Sequence, residues 1–175
     1  DIKERIKQAI PEVAVSSDFI VGFCGETDDE FQLTVQIVER HRFKNSFIFK
    51  YSERPGTSAA KIRPDDVPEE VKKRRNNELL AVQNRISEED NRPFLGRRVE
   101  VLVEGPSKLS IKQDDQSEVL QLTGRTMCDR IVVFEGSRRL IGQTLPIAIV
   151  DYTPFTLHGS VVTKHVQGIP LPVSS

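Results

Sequence analysis

The sequence of 175 residues contains no tryptophan, one methionine and only two cysteines. Cys24 and Cys128 lie far apart and form no C-x-x-C motif, and the three histidines, His41, His158 and His165, are scattered along the chain. This spacing excludes a zinc or iron–sulfur site built from neighbouring ligands, and two distant cysteines do not make a disulfide framework. Chemistry that needs thiolate ligands therefore has no local motif in this sequence.

Long hydrophobic runs are also absent. No segment approaches the roughly 18 apolar residues that a membrane-spanning helix needs, and the first five residues lack the basic and apolar regions of a signal peptide. We therefore expect a cytoplasmic protein that does not bind a membrane. Because the sequence starts with Asp1, within a segment of helical spacing, we also expect it to be a piece of a longer polypeptide.

Length and charge are compatible with two small units. A domain commonly has roughly 100 to 200 residues, so 175 residues correspond to one domain or to two small ones. Residues 1–91 carry 15 Lys and Arg against 18 Asp and Glu, a net charge of −3. Residues 92–175 carry 10 against 8, a net charge of +2. The second half is therefore mildly basic.

Apolar spacing in the first half predicts a short helix followed by one strand–helix–strand unit. Helical spacing is found over 2–10, and the apolar run 19–23 is typical of a buried parallel strand. Thr27 and Glu30 fit a capping box at the start of the next helix. A second strand is predicted at 46–51, where another apolar run ends in a turn.

A connector helix and a β-barrel are predicted for the rest of the chain. The charged helix over 65–90 has a thin apolar stripe, because Arg75 occupies a position where an aliphatic side chain would be expected. We expect this helix to pack weakly and to connect two domains. From Arg98 onward, five short strands with turn signals between them indicate a small barrel of the OB kind.

Two glycine-containing turns follow the two predicted parallel strands. Gly22, Gly25 and Glu26 lie in the first turn, and Tyr51 and Arg54 lie in the second. Ligands gather at the carboxyl ends of such strands, and glycine lets the backbone approach a ligand closely. Each turn alone is also what an ordinary loop requires, but two turns at one sheet edge favour a binding site. No catalytic set stands out in the sequence.

Basic residues on the β unit form a third candidate site. OB-type barrels bind nucleic acid by combining cations with aromatic rings on which bases stack. A net charge of only +2 argues against a strong general binder, and a solvated charged face explains the composition equally well. The candidates are Arg97, Arg98, Lys108, Arg125, Arg130, Arg138, Arg139 and the ring of Phe134.

Three ordered motifs resemble one known family. They read DFIVGFCGET at 18–27, FIFKYSERPGT at 47–57 and VEVLVEG at 99–105. Together they resemble the C-terminal part of the MiaB family, radical S-adenosylmethionine (SAM) enzymes that add a methylthio group to N(6)-dimethylallyladenosine beside the anticodon of tRNA. The resemblance covers roughly residues 1–160.

The resemblance implies an α/β part followed by an all-β part. Residues 1–62 would be the C-terminal remnant of a partial radical-SAM (β/α) barrel, and residues 63–91 would be a connector helix. Residues 92–160 would form a TRAM domain, an OB-like antiparallel β-barrel that binds RNA. Residues 161–175 would be a loose tail.

Cofactors, partners and site residues are implied in the same way. The family reaction uses SAM and two 4Fe-4S clusters, whose cysteine ligands are expected on a missing N-terminal portion, so this chain alone should be inactive and should hold no catalytic residue or metal ligand. The expected partner is the tRNA anticodon stem-loop, and the expected state is a monomer. The SAM-binding positions would be Gly22, Gly25, Glu26, Tyr51 and Arg54, and the RNA-binding positions Arg97, Lys108, Arg125, Arg130 and Phe134.

The sequence departs from the family pattern at three positions. Cys24 and Glu53 stand where the family usually has Pro, and Asp129 stands where Asn usually precedes Arg130. An acid at 129 cannot donate a hydrogen bond to RNA. Two alternatives remain open: a sister methylthiotransferase acting on a small-subunit ribosomal protein or on threonylcarbamoyl-adenosine, and a non-enzymatic RNA-binding module.

Overall fold

A computed structural model of the protein describes residues 2–11 and 13–162. The chain divides between Ser87 and Glu88 into two compact units. Within the described ranges, no helix is long and apolar enough to cross a membrane.

The first unit is built around two parallel strands. β1 and β2 pair in parallel and are joined through α2, so the predicted strand–helix–strand unit is confirmed. The strand β1 ends at Val21 because Gly22 has a φ of +72°, a conformation that does not continue a strand. The elements are α1 (Ile2–Ala9), β1 (Ser16–Val21), α2 (Asp28–His41), β2 (Asn45–Lys50), α3 (Ser58–Ile62) and α4 (Glu69–Asn91), which extends past the boundary between the units.

The helix α2 begins with the predicted capping box. Thr27 Oγ1 accepts a hydrogen bond from the Glu30 amide at 3.2 Å, and the Thr27 amide donates to Glu30 Oε2 at 2.8 Å. These reciprocal bonds satisfy backbone groups that the first turn of a helix leaves unpaired. The cap fixes the start of the helix and thereby directs Phe31, Val35 and Val38 into the core.

The helix α4 is part of that core, so the expectation that it packs weakly is wrong. Leu79 and Ile86 are fully buried and pack in the same cluster as Val21 and Phe31. A polar position on the same helix, Gln83, is also buried and is satisfied by partners, since its side chain hydrogen-bonds Ser46 Oγ, Ser87 Oγ and the carbonyl of Phe43. The thin apolar stripe is sufficient because the polar side chains beside it have partners.

The other face of the two-stranded sheet is apolar and exposed. Ile20, Phe47 and Phe49 are each more than half exposed, and the register places Ile20 opposite Phe49. Parallel sheets are ordinarily covered on both faces. The barrel that the family resemblance implies is not visible among the described residues, which contribute only these two strands to it.

The second unit is a closed five-stranded barrel in the order β3-β4-β5-β7-β6. Four of the five pairings are antiparallel, but β5 and β7 pair in parallel. The barrel is therefore mixed, and the expectation of an all-antiparallel barrel is wrong in this one pairing. Its elements are β3 (Arg98–Pro106), α5 (Lys108–Lys112), β4 (Val119–Thr126), β5 (Ile131–Ser137), β6 (Thr144–Tyr152) and β7 (Leu157–Val161), with 3₁₀ turns at Arg92–Phe94 and Arg138–Leu140.

Alternate residues of each strand fill the barrel. Val101, Leu122, Val132, Ile147 and Leu157 are among the fully buried side chains of this core. The predicted tail over 161–175 lies outside the described residues from position 163 onward, and Val161 is the last residue of β7.

Candidate binding sites

The first glycine turn, residues 22–27, is closed by its own glutamate. Glu26 Oε2 accepts a hydrogen bond from the Gly22 amide at 2.6 Å, and the Glu26 amide donates to the Phe23 carbonyl at 2.9 Å. Gly22 and Gly25 both have positive φ values, +72° and +79°. The carboxylate therefore holds the backbone of this turn in a conformation that glycine adopts without strain.

Arg75 of α4 fixes that glutamate. Its Nη1 donates to Glu26 Oε2 at 2.7 Å and to the Glu26 carbonyl at 3.0 Å, and its Nη2 donates to Asp28 Oδ1 at 2.9 Å. The side chains of Arg75 and Glu26 are only 4% and 12% exposed. The hydrogen bond from Arg75 lowers the pKa of the Asp28 carboxyl. Glu26 is thus part of a buried charge network and supports the loop.

Lys72 lies directly under Gly22. Its ammonium Nζ is 2.5 and 2.6 Å from the two carboxylate oxygens of Asp65, and its side chain is 4% exposed. A Cβ at Gly22 would come within 2.4 Å of Lys72 Cγ. Glycine is therefore required at position 22 by close packing as well as by φ.

A shallow cavity of about 250 Å³ opens beside this loop. Its wall includes Gly25 and three carboxylates, those of Glu26, Asp28 and Asp66, together with Arg75. The Gly25 amide is already used, since it donates to Asp66 Oδ1 at 2.7 Å. The cavity is therefore polar and acidic, and the amides of Gly22 and Gly25 are both bonded within the protein.

Tyr51 lies next to the first turn. Its ring packs edge-on against Phe23, with ring centroids 4.9 Å apart, and the ammonium of Lys72 lies 5.3 Å from its centroid. Its hydroxyl is buried and makes no hydrogen bond of normal geometry among the described residues. Two main effects raise the pKa of Tyr51 to about 12: the interaction with the Cys24 thiol is the larger, and burial of the hydroxyl is the smaller. Tyr51 and the first turn therefore lie side by side at the ends of the two strands, and their role in binding a ligand stays a prediction.

Arg54 is placed differently from the other predicted residues. It is exposed in the turn after β2, where its carbonyl accepts hydrogen bonds from the amide and the hydroxyl of Thr57. Thr57 in turn caps α3. The turn is ordered by its backbone, and the guanidinium extends toward solvent.

On the barrel, Phe134 is wrongly predicted as an RNA-stacking residue. Its side chain is 3% exposed and lies in the barrel core with Leu122 and Val132. A base can stack on this ring only if the barrel opens. Burial therefore removes Phe134 from the list of contact residues.

Arg130 connects two segments of the chain at one end of the barrel. Its guanidinium lies 4.5 Å from the ring centroid of Phe94, and it donates to Asn91 Oδ1 at 3.0 Å and to Cys128 Sγ at 3.1 Å. Asn91 Nδ2 donates in turn to the Thr153 carbonyl at 2.8 Å. Arg130 thus joins the β4–β5 turn to the segment before β3.

Arg125 is paired with two carboxylates. It donates to Asp129 Oδ1 at 2.5 Å and to Glu104 Oε1 at 3.1 Å. The hydrogen bond that Arg125 donates to Asp129 raises the pKa of the guanidinium, which is fully protonated at neutral pH in any case. A phosphate must therefore compete with both acids for this side chain.

The two remaining predicted cations, Arg97 and Lys108, are both exposed, but they lie at opposite ends of strand β3. At about 3.3 Å per residue, the nine residues of β3 allow a separation of up to roughly 30 Å. Arg97 and Lys108 therefore stand at different ends of the barrel strand and not side by side.

Residues 92–162 match the TRAM domain family. The chain is 60% identical over 169 residues to the tRNA-2-methylthio-N(6)-dimethylallyladenosine synthase of Rhodopirellula baltica, covering 97% of this chain and 35% of that protein. Synthases of the same name from Porphyromonas gingivalis and Acetivibrio thermocellus are 45% and 48% identical over 90% of the chain, or 32% and 31% of their own lengths. These matches confirm the predicted resemblance to the MiaB family over nearly the whole chain. The chain spans about one third of the length of these curated relatives.

The sequence alone does not identify the supporting residues of the first candidate site. The sequence pattern shows Arg75 only as an interruption of an apolar stripe, and nothing in it distinguishes Lys72 or Asp65. The usable signal was Arg75 itself, since a charge on a buried helix face requires a partner of opposite charge. Over residues 2–11 and 13–162, no group of three or more His, Cys, Asp or Glu could hold a metal ion.

Proposed function

We propose that this chain is part of a tRNA methylthiotransferase, which converts N(6)-dimethylallyladenosine next to the anticodon into its 2-methylthio derivative. The observation that carries the proposal is the 60% identity, over nearly the whole chain, to a protein named for that reaction. The relatives named above share this name, which does not favour a sister enzyme acting on a ribosomal protein or on threonylcarbamoyl-adenosine.

The first glycine turn is proposed to form part of the SAM site. The fit is partial: Gly22, Gly25 and Glu26 have their amides and carboxylate bonded within the protein, so they shape the loop and do not offer free polar groups. Contacts with the ligand are therefore proposed for three other features: the open surface of the turn, the Tyr51 ring and the Arg54 guanidinium. When bound, SAM supplies the methyl group and the radical-generating chemistry of the family.

The two 4Fe-4S clusters are proposed to be held elsewhere in the whole protein. Each cluster needs several thiolates, and Cys24 and Cys128 belong to different units. The role proposed for this chain is therefore to shape part of the SAM site and to bind tRNA.

The TRAM unit is proposed to bind the anticodon stem-loop, with the whole enzyme acting as a cytoplasmic monomer. Arg97 and Lys108 are exposed and available to phosphates. Arg125 can reach phosphate when it leaves its acids, whereas Arg130 supports the adjacent turns. The mild net charge predicts weak, salt-sensitive binding that acts together with the other parts of the enzyme.

A gene deletion tests the proposal. The gene that encodes the whole protein is deleted, and the nucleosides of bulk tRNA are analysed by mass spectrometry. We expect the 2-methylthio derivative to disappear, N(6)-dimethylallyladenosine to accumulate, and the intact gene to reverse both changes. Loss of a methylthio group from threonylcarbamoyl-adenosine instead would favour the sister enzyme.

An Arg54→Ala change in the whole enzyme tests the proposed SAM site. We expect this change to raise the KM for SAM, and unchanged kinetics would remove Arg54 from the site.

A further inference from the structure

The turn between β6 and β7 presents an aromatic ring to solvent. Phe155 is 65% exposed, whereas Phe134 is buried in the barrel and Phe94 is packed under Arg130. The sequence pattern did not single out Phe155. Its exposure is a cost to the isolated barrel, because a ring of this size gains from burial.

This turn is held rigidly. Thr153 Oγ1 accepts hydrogen bonds from the amides of Phe155 and Thr156 at 3.3 and 3.1 Å, and the Thr153 amide donates to the Thr156 carbonyl at 2.8 Å. Asn91 Nδ2 bonds the Thr153 carbonyl from outside the turn, at 2.8 Å. The ring is therefore presented by an ordered backbone, and little conformational entropy is lost when something stacks on it.

Two features of this turn favour nucleic-acid binding. In barrels of the OB kind, the loop between the fourth and fifth strands contributes to oligonucleotide binding, and in this barrel that loop contains Phe155. Arg92 directly follows Asn91, which bonds the turn, and Arg97 is joined to β6 through its carbonyl and the Ile149 amide at 2.9 Å. Both arginines are exposed. An exposed ring combined with exposed cations on the same barrel is the composition that binds single-stranded nucleic acid.

We propose that Phe155 is a base-stacking residue that binds an unpaired nucleotide of the RNA held by the TRAM unit. The inference rests on the proposed RNA-binding function and adds to it a preference for unpaired nucleotides. A ring on a turn can stack on a base that is free of its helix, whereas a base inside a duplex is covered by its neighbours. The TRAM unit should therefore prefer looped or single-stranded RNA to duplex RNA.

Affinity measurements on the 175-residue chain test the stacking. The probes are a fluorescent anticodon stem-loop RNA and a duplex RNA of equal length. Phe155→Ala is expected to weaken stem-loop binding about 5- to 150-fold, the range for one stacked base, and to leave duplex binding and the salt dependence unchanged. Phe155→Tyr is expected to bind like the unchanged chain, and Phe155→Leu like Phe155→Ala. The stacking role would be overturned if Phe155→Ala bound the stem-loop RNA as tightly as the unchanged chain. It would also be overturned if Phe155→Leu did so, because that result would indicate a general apolar contact, as with a protein partner.

The absence of tryptophan allows a direct second test. In Phe155→Trp the indole is the only one in the chain, and stacking of a base is expected to quench its fluorescence as stem-loop RNA is added. Leu33→Trp is the matched control, since Leu33 is 57% exposed on α2 of the first unit, which contains none of the residues proposed to bind RNA. Equal quenching in both variants would contradict the proposal. If the unchanged chain binds no RNA, the proposed RNA-binding function fails; if it binds but Phe155→Trp is not quenched, only the stacking inference fails.

Discussion

The Arg75 guanidinium donates hydrogen bonds to both the carboxylate and the backbone carbonyl of Glu26, a residue 49 positions earlier in the chain. Glu26 in turn accepts from the Gly22 amide. A helix distant in sequence therefore fixes the shape of the glycine turn, and the turn cannot be understood from its own residues alone.

Replacing Arg75 should destabilise the first unit strongly. Arg75→Met leaves Glu26 charged, largely buried and without its partner, which costs about 3 to 5 kcal/mol for a buried pair. Urea unfolding followed by helical circular dichroism measures the loss. Arg74→Met is the control, because Arg74 pairs with Asp28 at exposed positions, where such pairs contribute about 1 kcal/mol or less. Similar losses for both variants would show that the Arg75–Glu26 pair is not important for stability.

Substitution at Gly22 should cost more than substitution at another glycine of the same backbone conformation. Gly22 and Gly56 both have positive φ, and alanine there carries a conformational cost of about 1 to 2 kcal/mol. A Cβ at Gly22 also meets Lys72 Cγ, whereas a Cβ at Gly56 has no atom within 4 Å. Gly22→Ala is therefore expected to lower the free energy of unfolding by about 1 to 3 kcal/mol more than Gly56→Ala. Equal effects in urea unfolding would mean that Lys72 moves aside freely.

The ionisation of Tyr51 should be shifted to high pH. Interaction with the Cys24 thiol and burial raise its pKa to about 12, above the usual value near 10 for an unfolded chain. The neutral hydroxyl is thus favoured by folding, so its contribution to stability is complete below about pH 10 and is lost as the pH rises toward 12. In Tyr152→Phe, Tyr51 is the only tyrosine, and its tyrosinate absorbance should rise with a midpoint near pH 12. A midpoint near 10 in the folded protein would contradict the interaction with Cys24 together with the burial of the hydroxyl.

Releasing Arg125 from Asp129 should strengthen RNA binding. Asp129→Asn removes one of the two carboxylates that pair with Arg125, so a phosphate has less to displace. We expect affinity for stem-loop RNA to rise about 2- to 10-fold, with a steeper salt dependence because one more phosphate contact forms. Asp114→Asn makes the same charge change at another non-glycine residue with positive φ, on the loop between α5 and β4. If both variants gain equally, the effect is one of net charge and not of Arg125.

Local signals in the sequence are sufficient to predict most of the helices and strands. The Thr27–Glu30 capping box and the apolar runs at β1 and β2 depend on neighbouring residues, and all of them are found in the structure. The parallel pairing of β5 with β7 has no local signal, because it depends on how the barrel closes. Strand formation was therefore predictable, whereas the direction of one pairing was not.

Side-chain roles were harder to predict than elements. The run 131–134 in β5 is apolar at every position, so it contains no alternation that would show whether Phe134 faces inward or outward. Arg75 could be recognised as unusual, but its partner lies too far away in sequence to be identified. In both cases the missing information is a tertiary contact.

The two sheets differ in a way that matters for handling the protein. The barrel closes on itself and leaves no strand edge, whereas β1 and β2 form an open ribbon with an apolar face at Ile20, Phe47 and Phe49. Unpaired edges beside exposed apolar side chains are templates for aggregation. Concentrated solutions of this polypeptide should therefore aggregate through the first unit, while the second unit by itself should stay in solution and suit crystallisation.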